Sequence, residues 1–200
     1  DKYKAKAFID TFGYRGGDVI GAQVEGLLGR LGLGLAALGD AEIVRRFGDA
    51  ARREYRAVGI HMALSPQADL ATEPRWSRIN GTFGENPDRA RRMVQAYVVG
   101  FQGAADGLRP DGAAAVVKHW VGYGAAPEGW DGHNHYGRFS RLGDADLQTH
   151  IQPFLGAFAA GVAGVMPTYN ILQGVIGPLD LIRRNIQRGR IDNLGRFIDT

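Results

Sequence analysis

Apolar residues recur along four stretches of the chain with the spacing of amphipathic helices. Each stretch opens on a residue type that favours a helix start, and the four openings are Asp40, Asn86-Pro87, Asp144 and Pro178. The first helix is predicted to run to about Ala57, and the last to stop at Gly189. Pro153 lies inside the third pattern, so we expect it to kink that helix or to restart it.

Short apolar runs of strand length lie between these helices. Each run is bounded by turn residues, as is typical of a buried strand. The runs are residues 59–65, 114–121 and 162–167, with residues 31–38 as a weaker, glycine-diluted candidate. Strands that alternate with helices predict an α/β fold with a parallel sheet, either open or closed into a barrel. The chain shows about four such units, whereas a complete eight-unit barrel takes about 250 residues.

The connections differ in length according to their direction. Those from a helix to the next strand are short, whereas those from a strand to the next helix are long and cover residues 66–85, 122–143 and 168–177. In β/α folds the loops after the carboxyl ends of the strands build the active site. These loops also carry Trp76 and Trp130, and two tryptophans in solvent-facing loops suit a surface that stacks against sugar rings.

Composition narrows the picture further. The chain has 200 residues, of which 44% are hydrophobic and 22% charged, enough for one domain with a core. It contains no cysteine, which excludes disulfides and thiolate metal sites. The net charge of +3 is mixed in sign, and the arginines fall on helical patterns, so we predict neither a nucleic-acid nor a membrane partner. Asp1-Lys2-Tyr3-Lys4 lacks the apolar segment of a signal peptide, yet cytoplasmic and bacterial periplasmic or secreted locations both stay open.

Lys118-His119 closes the apolar run of residues 114–121. Neighbouring residues of a strand face opposite sides, so one of the pair is expected to point into a barrel or its mouth. A lysine inside an apolar strand is costly unless it has partners. The pair is therefore interpreted as donors for hydroxyl groups at the strand end. The alternative is a lysine that reaches water beside a satisfied core histidine.

Three loop segments carry further candidate chemistry. Arg75-Trp76-Ser77-Arg78 offers planar donor groups suited to diols and carboxylates, although such strings are often structural. Glu85 precedes a helix start, and we interpret it as a partner of an arginine or of the helix dipole rather than as a catalytic carboxylate. His133-Asn134-His135 could share a metal ion, but the remaining ligands show no matching spacing, so no metal site is predicted.

Four strings of the sequence, in order and at plausible spacing, resemble glycoside hydrolase family 3, the β-glucosidase and exo-glucanase family. They are residues 59–69 followed by Pro74-Arg75-Trp76-Ser77-Arg78, Thr82-Phe83-Gly84-Glu85-Asn86-Pro87, Val117-Lys118-His119-Trp120 with Gly122-Tyr123-Gly124, and Val165-Met166-Pro167-Thr168-Tyr169-Asn170. The resemblance covers residues 31–173 and leaves residues 1–30 unassigned and residues 174–200 as a helical C-terminal segment. Within it, residues 129–138 resemble a loop of a bacterial branch of the family.

The resemblance implies a (β/α)8 TIM-barrel-like fold, of which the chain shows part, that binds a terminal glucose-like unit. The residues that carry over as sugar contacts are Arg78, Lys118, His119, Met166, Tyr169 and, more weakly, Arg138. Trp76 would support Arg78 rather than touch the sugar. The implied reaction is hydrolysis of β-glucosides at the non-reducing end by a retaining mechanism with two carboxyl groups. It implies a carbohydrate substrate as partner and no metal or organic cofactor.

The sequence departs from the family pattern at the catalytic carboxylates. The family nucleophile is an aspartate in a Ser-Asp-Trp-like string well after the string that ends at Asn170, and no such string follows here. Asp180, after a short apolar run, is a stand-in candidate, although its neighbours favour a helix start. We therefore expect part of a larger enzyme, a recombined chain or a degenerate relative. The alternative function is a non-catalytic sugar-binding or scaffold fragment.

Overall fold

The computed structural model describes residues 31–173, and the fold is given for that part of the chain. Its helices are α1 Gly32–Leu38, α2 Ala41–Ala57, α3 Pro87–Gln102 and α4 Asp144–Ala159. Its strands are β1 Met62–Ala63, β2 Gly103–Ala104, β3 Gly107–Leu108, β4 Ala114–Trp120, β5 Phe139–Arg141, β6 Gly164–Pro167 and β7 Ile171–Gln173. Short 3-10 turns in the loops cover Ile79–Gly81, Tyr123–Ala125, Pro127–Gly129 and His135–Gly137. The helix predicted at Pro178 and the two terminal segments lie outside the described residues.

The predicted parallel sheet is confirmed. Strands β1, β4 and β6 form a parallel sheet in that order, with β4 in the centre. The register pairs Val117 with Val165 and Lys118 with Met166. A second, smaller parallel pair joins β5 to β7, and β2 and β3 form a short antiparallel hairpin. Sequence analysis missed these four strands because each is only two or three residues long.

The helix starts follow the capping residues. Asp40 accepts a hydrogen bond from the backbone N–H of Glu42, and Asn86 accepts one from that of Arg89, so both predicted helix starts are confirmed. Helix α4 also begins at Asp144 as predicted. The prediction of a restart at Pro153 is wrong, since α4 is one helix from Asp144 to Ala159. Pro153 is buried, so packing of this face outweighs the hydrogen bond that a proline cannot donate.

Residues 31–38 form helix α1 and not the weak strand that their apolar pattern suggested. Gly32 and Ala36, four residues apart, are the buried positions, which is a helical spacing. Gly32 lies so close to the turn at Ile79–Gly81 that a Cβ there would come within 2.5 Å of the Gly81 carbonyl oxygen. Gly39, with φ of +73°, then ends the helix. Close packing therefore explains the glycine at position 32, whereas a Cβ at Gly34 would have nothing within 4 Å.

The core lies between the sheet and helices α2, α3 and α4. It contains Tyr55 and Phe101, whose rings meet edge to face at 5.3 Å. The buried amide of Gln102 ties the end of α3 to two strands. Its Nε2 donates to the Gly161 carbonyl oxygen, and its Oε1 accepts from the N–H groups at the start of β4 and just before β6. These hydrogen bonds therefore fix the position of β4 relative to β6 along the strand direction, at the end of the sheet opposite Lys118. No helix within residues 31–173 is long and apolar enough to cross a membrane.

Candidate functional site

The predicted site residues gather at the carboxyl end of β4. The segment after β1 runs beside this end: the N–H of Lys118 donates to the Pro66 carbonyl oxygen, and the N–H of Ala68 donates to that of Lys118. The peptide bond between Lys118 and His119 is cis. This pairing places Asp69 next to His119, fifty positions away in the sequence.

His119 and Asp69 form a buried pair. The Nδ1 atom of His119 lies 2.7 Å from Oδ2 of Asp69, and the backbone N–H of His119 donates to the same oxygen at 3.3 Å. Burial lowers the pKa of His119 below its ordinary value of 6.5, and the charges of Arg78 and Lys118 lower it further, while Asp69 partly opposes them. The imidazole is therefore neutral at neutral pH.

The Asp69 pair also fixes the hydrogen-bonding role of His119. Since Oδ2 of Asp69 already accepts from the backbone N–H of His119, it serves as the acceptor toward Nδ1 as well, and the proton of the neutral ring is assigned to Nδ1. Nε2 is left as an acceptor. The pair Lys118-His119, predicted as two donors, is therefore one donor and one acceptor.

Tyr123 is the centre of the site. Its ring is fully buried, packs against Trp76 at 4.8 Å and meets the His119 ring edge to face at 5.1 Å. The Arg78 guanidinium lies over the Tyr123 ring, 5.6 Å from its centroid. Trp76 is only 1% exposed, and its support of Arg78 stays a prediction. It therefore cannot stack on a sugar; of the two loop tryptophans, Trp130 is the one that is accessible, at 48% exposure.

Asp131 gathers three donors on one oxygen. Its Oδ1 accepts from the Tyr123 hydroxyl at 2.6 Å and from the backbone N–H of His133 at 2.9 Å, and it lies 2.6 Å from His133 Nδ1. Burial alone would raise the pKa of Asp131, but these hydrogen bonds hold it at about 2. Burial and the hydrogen bond to Asp131 raise the pKa of Tyr123 to about 12. Both groups keep a single charge state across the physiological range.

The remaining predicted residues divide into two groups. Met166, half-buried, is the register partner of Lys118 and so belongs to the same strand end. Tyr169 is exposed and meets the ring of His133 edge to face at 5.1 Å. Arg138 turns elsewhere: its Nη1 lies 2.7 Å from His135 Nε2, and its guanidinium covers the Phe139 ring at 4.7 Å.

Arg78, Lys118, His119 and Met166 therefore form one cluster, with Tyr169 beside the loop that borders it. Arg138 is not brought into this cluster by its described contacts. Asp180 lies outside the described residues. Glu85 is exposed and precedes the cap of α3.

The two loop histidines have different partners. His133 pairs with Asp131, whereas His135 pairs with Arg138. Within residues 31–173 no group of three or more histidine, aspartate or glutamate side chains is arranged to hold a metal ion.

Sequence reasoning missed three residues of this site: Asp69, Tyr123 as its buried centre, and Asp131. Asp131-Gly132-His133 did offer a signal, because an aspartate two residues before a histidine can accept from both its N–H and its ring. Asp69 offered none, since its partner is far away in the sequence.

Comparison with known proteins gives a consistent picture. The sequence profile of the glycosyl hydrolase family 3 N-terminal domain matches residues 23–184. A periplasmic β-glucosidase/β-xylosidase of Dickeya chrysanthemi is 62% identical over 141 residues, which are 70% of this chain and 22% of that protein. Beta-glucosidase C of Emericella nidulans is 46% identical over 138 residues, 69% of this chain and 22% of that protein.

Solved structures agree. The crystal structure of a β-glucosidase from Listeria innocua in complex with glucose superposes with a TM-score of 0.66 at 31% identity, covering 80% of this chain and 22% of that chain. The present chain thus spans about a fifth of the length of the relatives it matches.

Proposed function

The chain belongs to glycosyl hydrolase family 3, whose N-terminal domain has a TIM-barrel-like α/β fold, and we propose that it forms the sugar-binding side of a retaining β-glycosidase. The proposed substrates are β-glucosides, bound by their terminal, non-reducing sugar. The described residues form part of the barrel. Because the chain spans about a fifth of its relatives, the proposal concerns the protein to which these residues contribute their binding surface.

One observation carries the proposal: Arg78 and His119 both contact a buried tyrosine at the strand end that also carries Lys118. Each sugar hydroxyl both donates and accepts hydrogen bonds. Lysine and arginine supply donors, and the Nε2 atom of His119 supplies an acceptor. We infer that these three groups bind neighbouring hydroxyls of one sugar, with Met166 and Tyr169 lining the same pocket. The position of Arg138 gives it less support as a contact.

The reaction requires two further carboxyl groups, one to attack the anomeric carbon and one to protonate the leaving oxygen. Asp69 is hydrogen-bonded to His119, and Asp131 accepts three hydrogen bonds from Tyr123 and His133. Both carboxylates therefore position other side chains of the site. We propose that the attacking carboxylate and the proton donor come from residues outside 31–173. The described residues contribute by holding the sugar in one orientation, which lowers the entropic part of the barrier.

A second candidate function is sugar binding without hydrolysis. A separate observation favours it, because Asp69 is already bonded to His119 and Asp131 to Tyr123. The two functions share the binding site and differ in turnover.

The test measures binding and turnover on the same protein. Glucose and the iminosugar isofagomine should bind in calorimetry, and an aryl β-glucoside should be hydrolysed faster than the matching β-xyloside. Lys118→Ala and His119→Ala should abolish both, whereas His61→Ala, an exposed histidine at the opposite end of the sheet, should abolish neither. Binding without turnover would contradict hydrolysis by this chain and support the second function. Absence of binding would contradict both.

We also propose a periplasmic location. The support is the name of the Dickeya relative, which shares 62% identity with this chain. Fractionation of cells that express the natural protein tests it: activity retained in spheroplasts would contradict the proposal.

A further inference from the structure

Two histidine–aspartate pairs flank Tyr123, and sequence reasoning placed only one of their histidines, His119, in the sugar site. The second pair is His133 with Asp131, in the loop of residues 129–138. Its Nδ1–Oδ1 distance of 2.6 Å matches the 2.7 Å of the His119 pair. The Nδ1 atom of His133 also lies 3.4 Å from the Tyr123 hydroxyl. Both imidazoles therefore contact the same buried tyrosine, His119 at its ring and His133 at its hydroxyl.

We propose that His133 is a further substrate-binding residue, positioned by Asp131, and that it contacts the group linked to the terminal sugar. This inference rests on the proposed function, since it extends the same binding site outward.

The orientation of the His133 ring supports a binding role. The Asp131 carboxylate accepts at Nδ1, so the Nε2 atom is the one left for a ligand. The pKa of Asp131, about 2, keeps that carboxylate ionised and the ring orientation constant over the range in which the protein would work. A ring held in this way loses little conformational entropy when a ligand binds, which favours affinity.

The position of His133 assigns it to the outer part of the site. A continuous series of contacts runs from the His119 ring through Tyr123 to His133 and on to Tyr169. The side chain of His119 is 8% exposed, whereas that of His133 is 54% exposed. A terminal sugar bound at the buried end would project its linked group toward the exposed end. The Nε2 atom of His133 is thus placed to form a hydrogen bond with that linked group.

The loop that carries His133 is closely packed at its base. Gly137 lies so near Asp131 that a Cβ would come within 2.0 Å of the Asp131 carbonyl oxygen. The Nδ2 atom of buried Asn170 donates to the Gly137 carbonyl oxygen at 2.8 Å. Trp130, exposed on the same loop, meets the ring of Tyr136 at 5.0 Å and adds an apolar face for a second sugar ring.

The test compares a monosaccharide with a disaccharide that cannot be hydrolysed. Affinities for glucose and for the sulfur-linked analogues of laminaribiose and cellobiose are measured by calorimetry. We expect His133→Gln to weaken the disaccharide analogues by about fivefold or more while changing glucose affinity by less than about twofold, and we expect Asp131→Asn to weaken the same analogues by a similar factor. His61→Gln is the matched control and should change neither. Nitrogen-15 NMR of the imidazoles should show His133 protonated on Nδ1 in the parent protein and a mixture of tautomers in Asp131→Asn.

Each other outcome decides the question. Unchanged disaccharide affinity in His133→Gln would overturn the proposal. An equal loss for glucose and for the disaccharides would also overturn it, because His133 would then support the inner site. A His133 ring protonated on Nε2 in the parent protein would overturn the positioning role of Asp131. Failure of the parent protein to bind glucose would instead overturn the proposed function itself.

Discussion

The two histidine–aspartate pairs have the same local geometry and opposite surroundings. His119 and Asp69 come from segments fifty positions apart and are buried together, whereas His133 and Asp131 are two positions apart on a loop and partly exposed. Burial is therefore what separates their roles. A buried pair couples ligand binding to folding, because losing one partner leaves the other without its hydrogen bond. An exposed pair only orients its ring, because water can replace the hydrogen bond when one partner is removed.

The largest effect is expected from removing the buried carboxylate. Asp69→Ala leaves the Nδ1–H and backbone N–H of His119 without their acceptor, so we expect the free energy of unfolding to fall by about 1–3 kcal/mol. Glucose affinity should fall with it, since the ring is no longer held in one tautomer. Urea unfolding and calorimetry measure the two effects. A fully stable variant with normal glucose affinity would show that burial does not separate the pairs.

Removing the hydroxyl between the pairs should have an intermediate effect. Tyr123→Phe keeps the ring against Trp76 and His119 but removes the donor to Asp131. We expect a loss of about 0.5–1.5 kcal/mol in the free energy of unfolding, typical of one hydrogen bond. The pKa of Asp131, followed by carbon-13 NMR, should rise from about 2, because one of its donors is gone. An unchanged pKa would mean that His133 alone holds the carboxylate.

The two pairs should lose their contributions to the free energy of unfolding in different pH ranges. The folded state lowers the pKa of His119, and also of buried His150, below 6.5, so the unfolded chain binds more protons there and stability falls as pH drops below about 6.5. Asp131 has a folded pKa of about 2 against an ordinary 3.8, so its contribution is lost only as pH falls from about 4 to 2. His119→Gln should reduce the first loss and leave the second. Urea unfolding at a series of pH values measures both.

The smallest effect on stability is expected from the exposed pair. Asp131→Asn removes a charge from a partly exposed pair, and such pairs are typically worth about 0–1 kcal/mol. We therefore expect the thermal midpoint to change little, although disaccharide binding should weaken. A drop as large as that of Asp69→Ala would show that the loop of residues 129–138 is part of the folding core.

The helices of this molecule are easier to predict from the sequence than the contacts of its site. Capping residues and apolar spacing predict α2, α3 and α4, since both signals are local. The glycine-rich start of α1 misleads, in part because the glycine at position 32 comes from the close approach of Gly32 to the turn at Ile79–Gly81. Lys118 and His119 are visible because polar residues interrupt an apolar strand. Asp69 is hidden, because its partner comes near it only when two strands pair.

The ring of contacts around Tyr123 was hidden for a related reason. A tyrosine after a strand carries no periodic signal, and its role depends on contacts with Trp76, His119 and Asp131 that form only in the folded chain. Aromatic residues in these loops were expected to face a ligand. Trp76 instead fills the base of the site, and Trp130 remains on the surface.

Gln102 holds the end of the sheet that lies opposite the long loops. Its amide fixes the position of β4 relative to β6 by hydrogen bonds at the end of the sheet remote from Lys118 and Met166. We therefore expect insertions or exchanged loops at the carboxyl ends of the strands to leave the strand register in place. The long loops can diversify, in nature or in a designed library, while the sugar-facing strand ends keep their spacing. One buried amide thus makes the scaffold tolerant of new specificities at its opposite end.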